Sequence, residues 1–67
     1  MNMKQLREKK SMRAQDVAHV LGVGVSTVNS WEQGRATPRF ELIRPLMNLY
    51  EVSFDELESA IQESKRR

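Results

Sequence analysis

Gly22 separates two short segments, 14–21 and 25–33, whose apolar residues recur at helical spacing. A glycine at this junction can adopt the left-handed conformation that ends a helix, and Gly34 can end the second segment in the same way. Ala18 is small enough to let two helices approach each other. The apolar residues that define the two faces are Val17, Ala18 and Leu21, then Val28 and Trp31. The sequence therefore predicts two helices that cross closely at a tight turn.

Three further helices are predicted around this pair, and no segment alternates like a half-buried strand. The first spans about 3–10 and begins with a capping box formed by Asn2 and Gln5. The last begins at the capping box Ser53-Phe54-Asp55-Glu56. The residues expected to point inward from these two helices are Met3, Leu6, Phe54, Leu57 and Ile61. The sequence thus predicts an all-α chain of five helices.

The fourth helix is the hardest to place, because Pro45 lies inside it. A proline in a helix interior loses a hydrogen bond and clashes with the preceding turn, at a cost of roughly 3 kcal/mol. We therefore predict that this helix begins late, near Leu42, or bends. Its expected apolar face consists of Phe40, Ile43, Leu46, Met47 and Tyr50.

The 67 residues form one domain at most, and a core of this size is marginal without oligomerisation. Dimerisation is therefore expected, with Met47, Leu49, Tyr50 and the last helix as the expected contact.

The absence of cysteine removes disulfides and thiolate metal sites. No run resembles a signal peptide or a membrane span, so a cytoplasmic protein without membrane contact is expected.

Charge is unevenly distributed, although the net charge is only +2. Residues 1–13 are mainly basic, residues 33–50 add three arginines, and residues 51–58 are acidic. Such a division fits a nucleic-acid-binding protein, and ordinary solvated surface is the alternative. The outward residues of the third helix have no core to fill and could meet base edges; they are Val25, Ser26, Asn29 and Ser30.

Four segments together resemble the Cro/repressor type of helix-turn-helix domain, the Xre-like family. The resemblance covers residues from about 3 to 60. It implies a compact five-helix bundle, lambda-repressor-like, whose third helix recognises double-stranded DNA, often as a homodimer on a palindromic operator. The segments are Leu6-Arg7-Glu8-Lys9-Lys10, Val17-Ala18-His19-Val20-Leu21-Gly22-Val23, Ser26-Thr27-Val28-Asn29-Ser30-Trp31-Glu32-Gln33-Gly34-Arg35 and Val52-Ser53-Phe54-Asp55-Glu56-Leu57.

The domain is expected to span 1–64, with the helix-turn-helix unit at about 14–33 and a basic tail at 65–67. Asn29 can bond bidentately to adenine, the serines can bond several base edges, and Val25 can pack on a thymine methyl group. For each arginine among the candidate phosphate contacts, the alternative is a solvent-facing charge that contributes little. The candidates are Arg13, Thr27, Gln33, Arg35, Thr37 and Arg39.

Two further features follow from the resemblance. The family often has glutamine at the start of the second helix, where its side chain holds a phosphate, and Ala14 stands there instead. Arg13 is expected to take over part of that contact. Arg7 and Glu32 match positions that form a structural salt bridge between the first and third helices.

Catalysis, metal binding and a cofactor are not expected. His19 has no second imidazole or thiol beside it, the acidic residues near 55 serve a helix start, and no nucleophile and base are paired. The leading hypothesis is a small transcriptional regulator of bacterial or phage origin, acting as a repressor. The alternative is a protein-interaction module on the same fold, such as an antitoxin, which would bind a protein partner.

Overall fold

The structure, a computed structural model, describes residues 1–66. In this range it has five α-helices and no strand, so the predicted all-α class is confirmed. Lys65 lies in the last turn of the fifth helix, and Arg67 of the expected tail lies outside the described residues. The helices are α1 (Met3–Lys9), α2 (Ala14–Leu21), α3 (Val25–Glu32), α4 (Phe40–Tyr50) and α5 (Phe54–Lys65).

Both predicted capping boxes are present. The Asn2 side chain accepts a hydrogen bond from the Gln5 N–H at 2.8 Å, and Gln5 accepts one from the Asn2 N–H at 2.8 Å. At α5, the Ser53 hydroxyl accepts from the Glu56 N–H at 3.1 Å, and the Glu56 carboxylate accepts from the Ser53 N–H at 2.8 Å. Hydrogen bonds from Ser53 to the Glu56 carboxylate, that of the backbone N–H first, lower the pKa of Glu56. Local sequence therefore sets where α1 and α5 begin.

One apolar core holds the helices together, and α5 lies against α1, α3 and α4. Ser64, in the last turn of α5, is also buried, and its hydroxyl accepts a hydrogen bond from the Met3 N–H at 2.9 Å. This bond joins the start of α1 to the end of α5. The buried apolar residues are Met3, Leu6, Val17, Ala18, Val28, Trp31, Leu46, Tyr50, Leu57, Ala60 and Ile61.

The predicted late start of α4 is wrong, because the helix already begins at Phe40 and includes Pro45. Proline removes the hydrogen bond to the carbonyl group four residues earlier, that of Glu41. Both Glu41 and Pro45 are exposed, so water can bond to that carbonyl group. The burial of Leu46 on the opposite face stabilises the helix despite the proline.

Two aromatic residues expected in the core are on the surface. Phe40 is 89% exposed and Phe54 is 52% exposed. Each is the first residue of its helix. Conversely, Tyr50, expected at a dimer contact, is buried in the core.

The burial of Tyr50 predicts a loss of stability at alkaline pH. Burial, and then the negative charge of Glu32, raise the pKa of Tyr50 to about 12, against about 10 in an unfolded chain. The unfolded state therefore releases this proton first. The contribution of Tyr50 to stability is therefore complete below pH about 10 and is lost as the pH rises towards about 12. Over this range the free energy of unfolding falls by at most about 1.4 kcal/mol per pH unit.

Urea unfolding across this pH range checks the expectation, with Tyr50→Phe as the control that lacks the titrating hydroxyl. The variant should show a shallower decline in the free energy of unfolding. Tyr50 is the single tyrosine, so phenolate absorbance reports it directly. A folded protein whose phenol titrated at the value of a free tyrosine would contradict the prediction.

Candidate nucleic-acid interface

The turn between α2 and α3 is made by Gly22, whose φ of 70° is left-handed. The Val23 N–H donates to the Ala18 carbonyl at 3.0 Å, and the Gly22 N–H donates to the His19 carbonyl at 3.3 Å. These two bonds close the end of α2 in the way that a C-terminal glycine permits. The predicted sharp turn at residue 22 is confirmed.

The two faces of α3 differ in burial. Val28 is 0% exposed and Trp31 is 3% exposed, so these residues fix α3 on the core. On the outer side, Val25 is 42% exposed, and Ser26 and Asn29 are exposed. The helix thus presents short, mostly polar side chains to the outside.

Ser30, the fourth residue expected on this face, is only half-exposed. Its carbonyl group accepts hydrogen bonds from the N–H groups of Arg35 and Ala36, at 2.9 and 3.4 Å. Ser30 therefore lies where the loop after α3 folds back, at the edge of the outer face.

An ion pair turns the acidic side chain of α3 inward. Arg7 Nε donates to Glu32 Oε2 at 2.7 Å, and Arg7 Nη2 donates to Glu32 Oε1 at 3.0 Å. The Glu32 side chain is only 9% exposed. The salt bridge implied by the resemblance is therefore present, and the exposed face of α3 carries no acidic side chain to repel a polyanion.

Arg7 is also fixed by the backbone. Its Nη1 donates to the Met12 carbonyl at 2.9 Å, and its side chain is 13% exposed. The hydrogen bonds to Glu32 raise the pKa of Arg7. Arg7 is thus a structural cation, and it stands apart from the exposed arginines that could meet DNA.

The cations around α3 fall into two groups. Arg35 and Arg39 lie exposed in the segment that follows the helix. Arg13, before α2, donates from its guanidinium to both Asp16 carboxylate oxygens at 3.3 Å. Its backbone N–H also donates to Asp16 at 2.8 Å, and these bonds lower the pKa of Asp16. A phosphate would have to compete with Asp16 for Arg13.

The remaining predicted phosphate contacts lie around the same helix. Thr27 is exposed within α3, Gln33 is its C-cap, and Thr37 is exposed in the following loop. Thr27, Thr37 and Arg39 line one groove beside the start of α3. Their roles stay predictions.

The model of the Helix-turn-helix family matches residues 3–57 of this chain. The chain belongs to the helix-turn-helix family. It is also 32% identical over 57 residues to the cryptic phage CTXphi transcriptional repressor RstR of Vibrio cholerae. That alignment covers 85% of this chain and 51% of the relative, so the chain spans about half the length of RstR. No solved structure matches the chain significantly.

Sequence reasoning missed two contacts that support this helix-turn-helix unit. Asp16 caps the backbone of Arg13, although the N-cap is not serine or threonine; an acidic residue three positions later was the available signal. The Met12 carbonyl that binds Arg7 had no signal in the sequence.

Within residues 1–66, no cluster of His, Asp and Glu side chains suits a metal ion. Across the same range, every helix is too short or too polar to cross a membrane.

Proposed function

We propose that this helix-turn-helix protein regulates transcription by binding double-stranded DNA at specific sequences, with α3 in the major groove. The observation that carries the proposal is the exposed, uncharged outer face of α3, which Val28 and Trp31 hold firmly on the core. A major groove about 12 Å wide admits one α-helix. Membership of the family supports this choice.

We assign recognition of the DNA base sequence to the outer face of α3. The Asn29 amide both donates and accepts, so it can bind adenine bidentately. Ser26 and Ser30 can bond to several bases, and Val25 supplies an apolar contact for a thymine methyl group. Because Ser30 is half-exposed, Asn29 should carry most of the discrimination.

The residues around α3 are proposed to contact DNA phosphates. Phosphate contacts fix the register and orientation of a protein on DNA without reading the base sequence. Arg35 and Arg39 are the principal cations, since both are exposed next to the helix. Hydroxyl or amide contacts are assigned to Thr27, Gln33 and Thr37. Arg13 contributes when its guanidinium leaves Asp16.

We further propose that the protein is a cytoplasmic repressor, which acts as a homodimer on a palindromic operator. The name of the phage relative supports repression. A domain of this small size gains stability from a partner copy, and two-fold symmetry matches a palindrome. The function requires neither a cofactor nor a catalytic group.

Selection of bound sequences from random DNA, followed by binding titrations, tests the proposal. Asn29→Ala should weaken binding to the selected site by about 1–3 kcal/mol and relax the base preference at one position. Arg35→Ala should weaken binding to all sequences alike and lower the slope of log K against log salt by about 1.

Asn48→Ala is the matched control, because Asn48 is an exposed asparagine on α4, and its loss should leave binding unchanged. The proposal fails if selection yields no preferred sequence and neither variant binds less tightly than the wild type at low salt. A protein-interaction module, such as an antitoxin, would then be the better hypothesis.

A further inference from the structure

The end of α5 carries two adjacent cations. Lys65 is the last residue of the helix and Arg66 is its C-cap, and both are exposed. Within residues 1–66 neither side chain forms an ion pair. Glu63, the acidic residue just before them, is instead paired with the N-terminal amine of Met1 at 2.9 Å. Both positive charges are therefore available to an anionic partner.

Two observations place this end of α5 beside the loop that follows α3. An added Cβ on Gly34 would lie 2.8 Å from the Lys65 Cα, so the two backbones are in contact. Lys65 also lines a groove of about 380 Å³ together with Thr37 and Pro38. Lys65 thus contacts the loop on both sides of Arg35.

The loop begins at the last turn of α3, the helix proposed to lie in the major groove. The Gly34 N–H donates to the Trp31 carbonyl at 3.2 Å, and the Arg35 N–H donates to the Ser30 carbonyl at 2.9 Å. A helix in a groove about 12 Å wide has the phosphates of both strands beside it. The flexible four-carbon stem of Lys65 can carry its ammonium group from the backbone towards such a phosphate.

We propose that Lys65 and Arg66 form a second phosphate-contacting group, which binds the DNA backbone next to the phosphates contacted by Arg35 and Thr37. The inference rests on the proposed function, in which α3 occupies the major groove. It extends the DNA interface from the helix-turn-helix unit to the end of α5. The added contacts raise affinity for every sequence alike, because phosphates carry no base information.

The fold already holds the backbone of this group in place. Ser64 is buried, and its hydroxyl accepts a hydrogen bond from the Met3 N–H at 2.9 Å. The Arg66 N–H donates to the Glu63 carbonyl at 3.2 Å. A free tail would lose about 1–2 kcal/mol of backbone entropy per residue on binding. Here the contact has to order two side chains only, which favours binding.

Binding titrations of the full chain on its selected DNA site, at about 50 and 200 mM salt, test the inference. Each phosphate contact adds about 0.9 to the slope of log K against log salt. The double variant Lys65→Ala with Arg66→Ala should therefore lose about ten-fold less affinity than the wild type over this range. Its preferred bases should stay the same. Circular dichroism verifies that it is folded, as expected for two exposed residues.

Lys9→Ala is the matched control for the loss of a positive charge. Lys9 is exposed and lines a groove with Asp55 and Glu56 at the start of α5. The 12 residues of α5 put this position about 18 Å from the end of the helix. The control should keep the salt dependence of the wild type.

Neutral methylphosphonates, placed one at a time along both strands of the selected site, locate the contacts. At one or two positions beside the groove that α3 occupies, neutralisation should weaken binding of the wild type but not of the double variant. The inference is overturned if the double variant keeps the wild-type salt dependence, or if Lys9→Ala lowers it as much as one of the two contacts would.

Failure of this inference and failure of the proposed function give different results. Binding to a preferred sequence with an unchanged salt dependence in the double variant would contradict the contacts of α5 alone. The absence of any preferred sequence would contradict the proposed function. The salt dependence on unselected DNA would then still compare the double variant with the wild type.

Discussion

Replacing Gly34 by alanine is expected to lower the free energy of unfolding by about 2–5 kcal/mol. Gly34 has a φ of 77°, a left-handed conformation that costs an L-residue about 1–2 kcal/mol. An alanine Cβ would also lie 2.8 Å from the Lys65 Cα and collide with the backbone carbonyl of Ser64. Displacing this packed last turn of α5 adds about 1–3 kcal/mol.

Gly22→Ala separates these two causes. Gly22 has a similar φ of 70°, but a Cβ there would meet nothing within 4 Å. It should therefore show the conformational cost alone, about 1–2 kcal/mol. Chemical denaturation of both variants measures the difference, and equal losses would mean that the approach of α5 to Gly34 imposes no steric demand.

The close approach of Gly34 to α5 also shows the limit of sequence reasoning. The sequence predicted that Gly34 ends α3, because a glycine after an amphipathic segment is a local signal. It did not predict the contact with the end of α5, thirty residues further along the chain, since no local pattern encodes that distance. The same holds for the Met12 carbonyl that binds Arg7.

The helix starts were predictable where capping is local, as at Asn2 and Ser53. The start of α4 was not, because the cost of Pro45 is local whereas the burial that offsets it is tertiary. Phe40 and Phe54 were misplaced for a related reason. Helical periodicity gives the direction of a side chain, but not how far the neighbouring helix extends to cover it.

The outer face of α3 was predictable by elimination. Once Val28 and Trp31 were assigned to the core, the helical repeat left Val25, Ser26 and Asn29 outside, and the structure exposes all three. Which arginines are available to DNA was harder to predict. The capture of Arg13 by Asp16 depends on how the chain enters α2, and charge counting along the sequence does not reveal it.

Glu32→Ala is expected to lower the free energy of unfolding by about 3–5 kcal/mol, the loss typical when one partner of a buried ion pair is removed. Arg7 would keep its bond to the Met12 carbonyl at 2.9 Å. Its guanidinium would have lost its counterion, however, on a side chain that is only 13% exposed. For a domain of this size the total stability is roughly 3–10 kcal/mol, so much of the variant would be unfolded at 37 °C.

Two variants decide whether the loss comes from an unpaired charge. Lys10→Ala removes the Lys10–Glu51 pair, whose carboxylate side chain is 75% exposed, and should lose about 1 kcal/mol or less. Arg7→Met combined with Glu32→Leu fills the same space without charge, and it should recover most of the stability that Glu32→Ala loses. If the double variant were as unstable as the single one, the geometry of the hydrogen bonds would be what joins α1 to α3, and desolvation of Arg7 would not explain the loss.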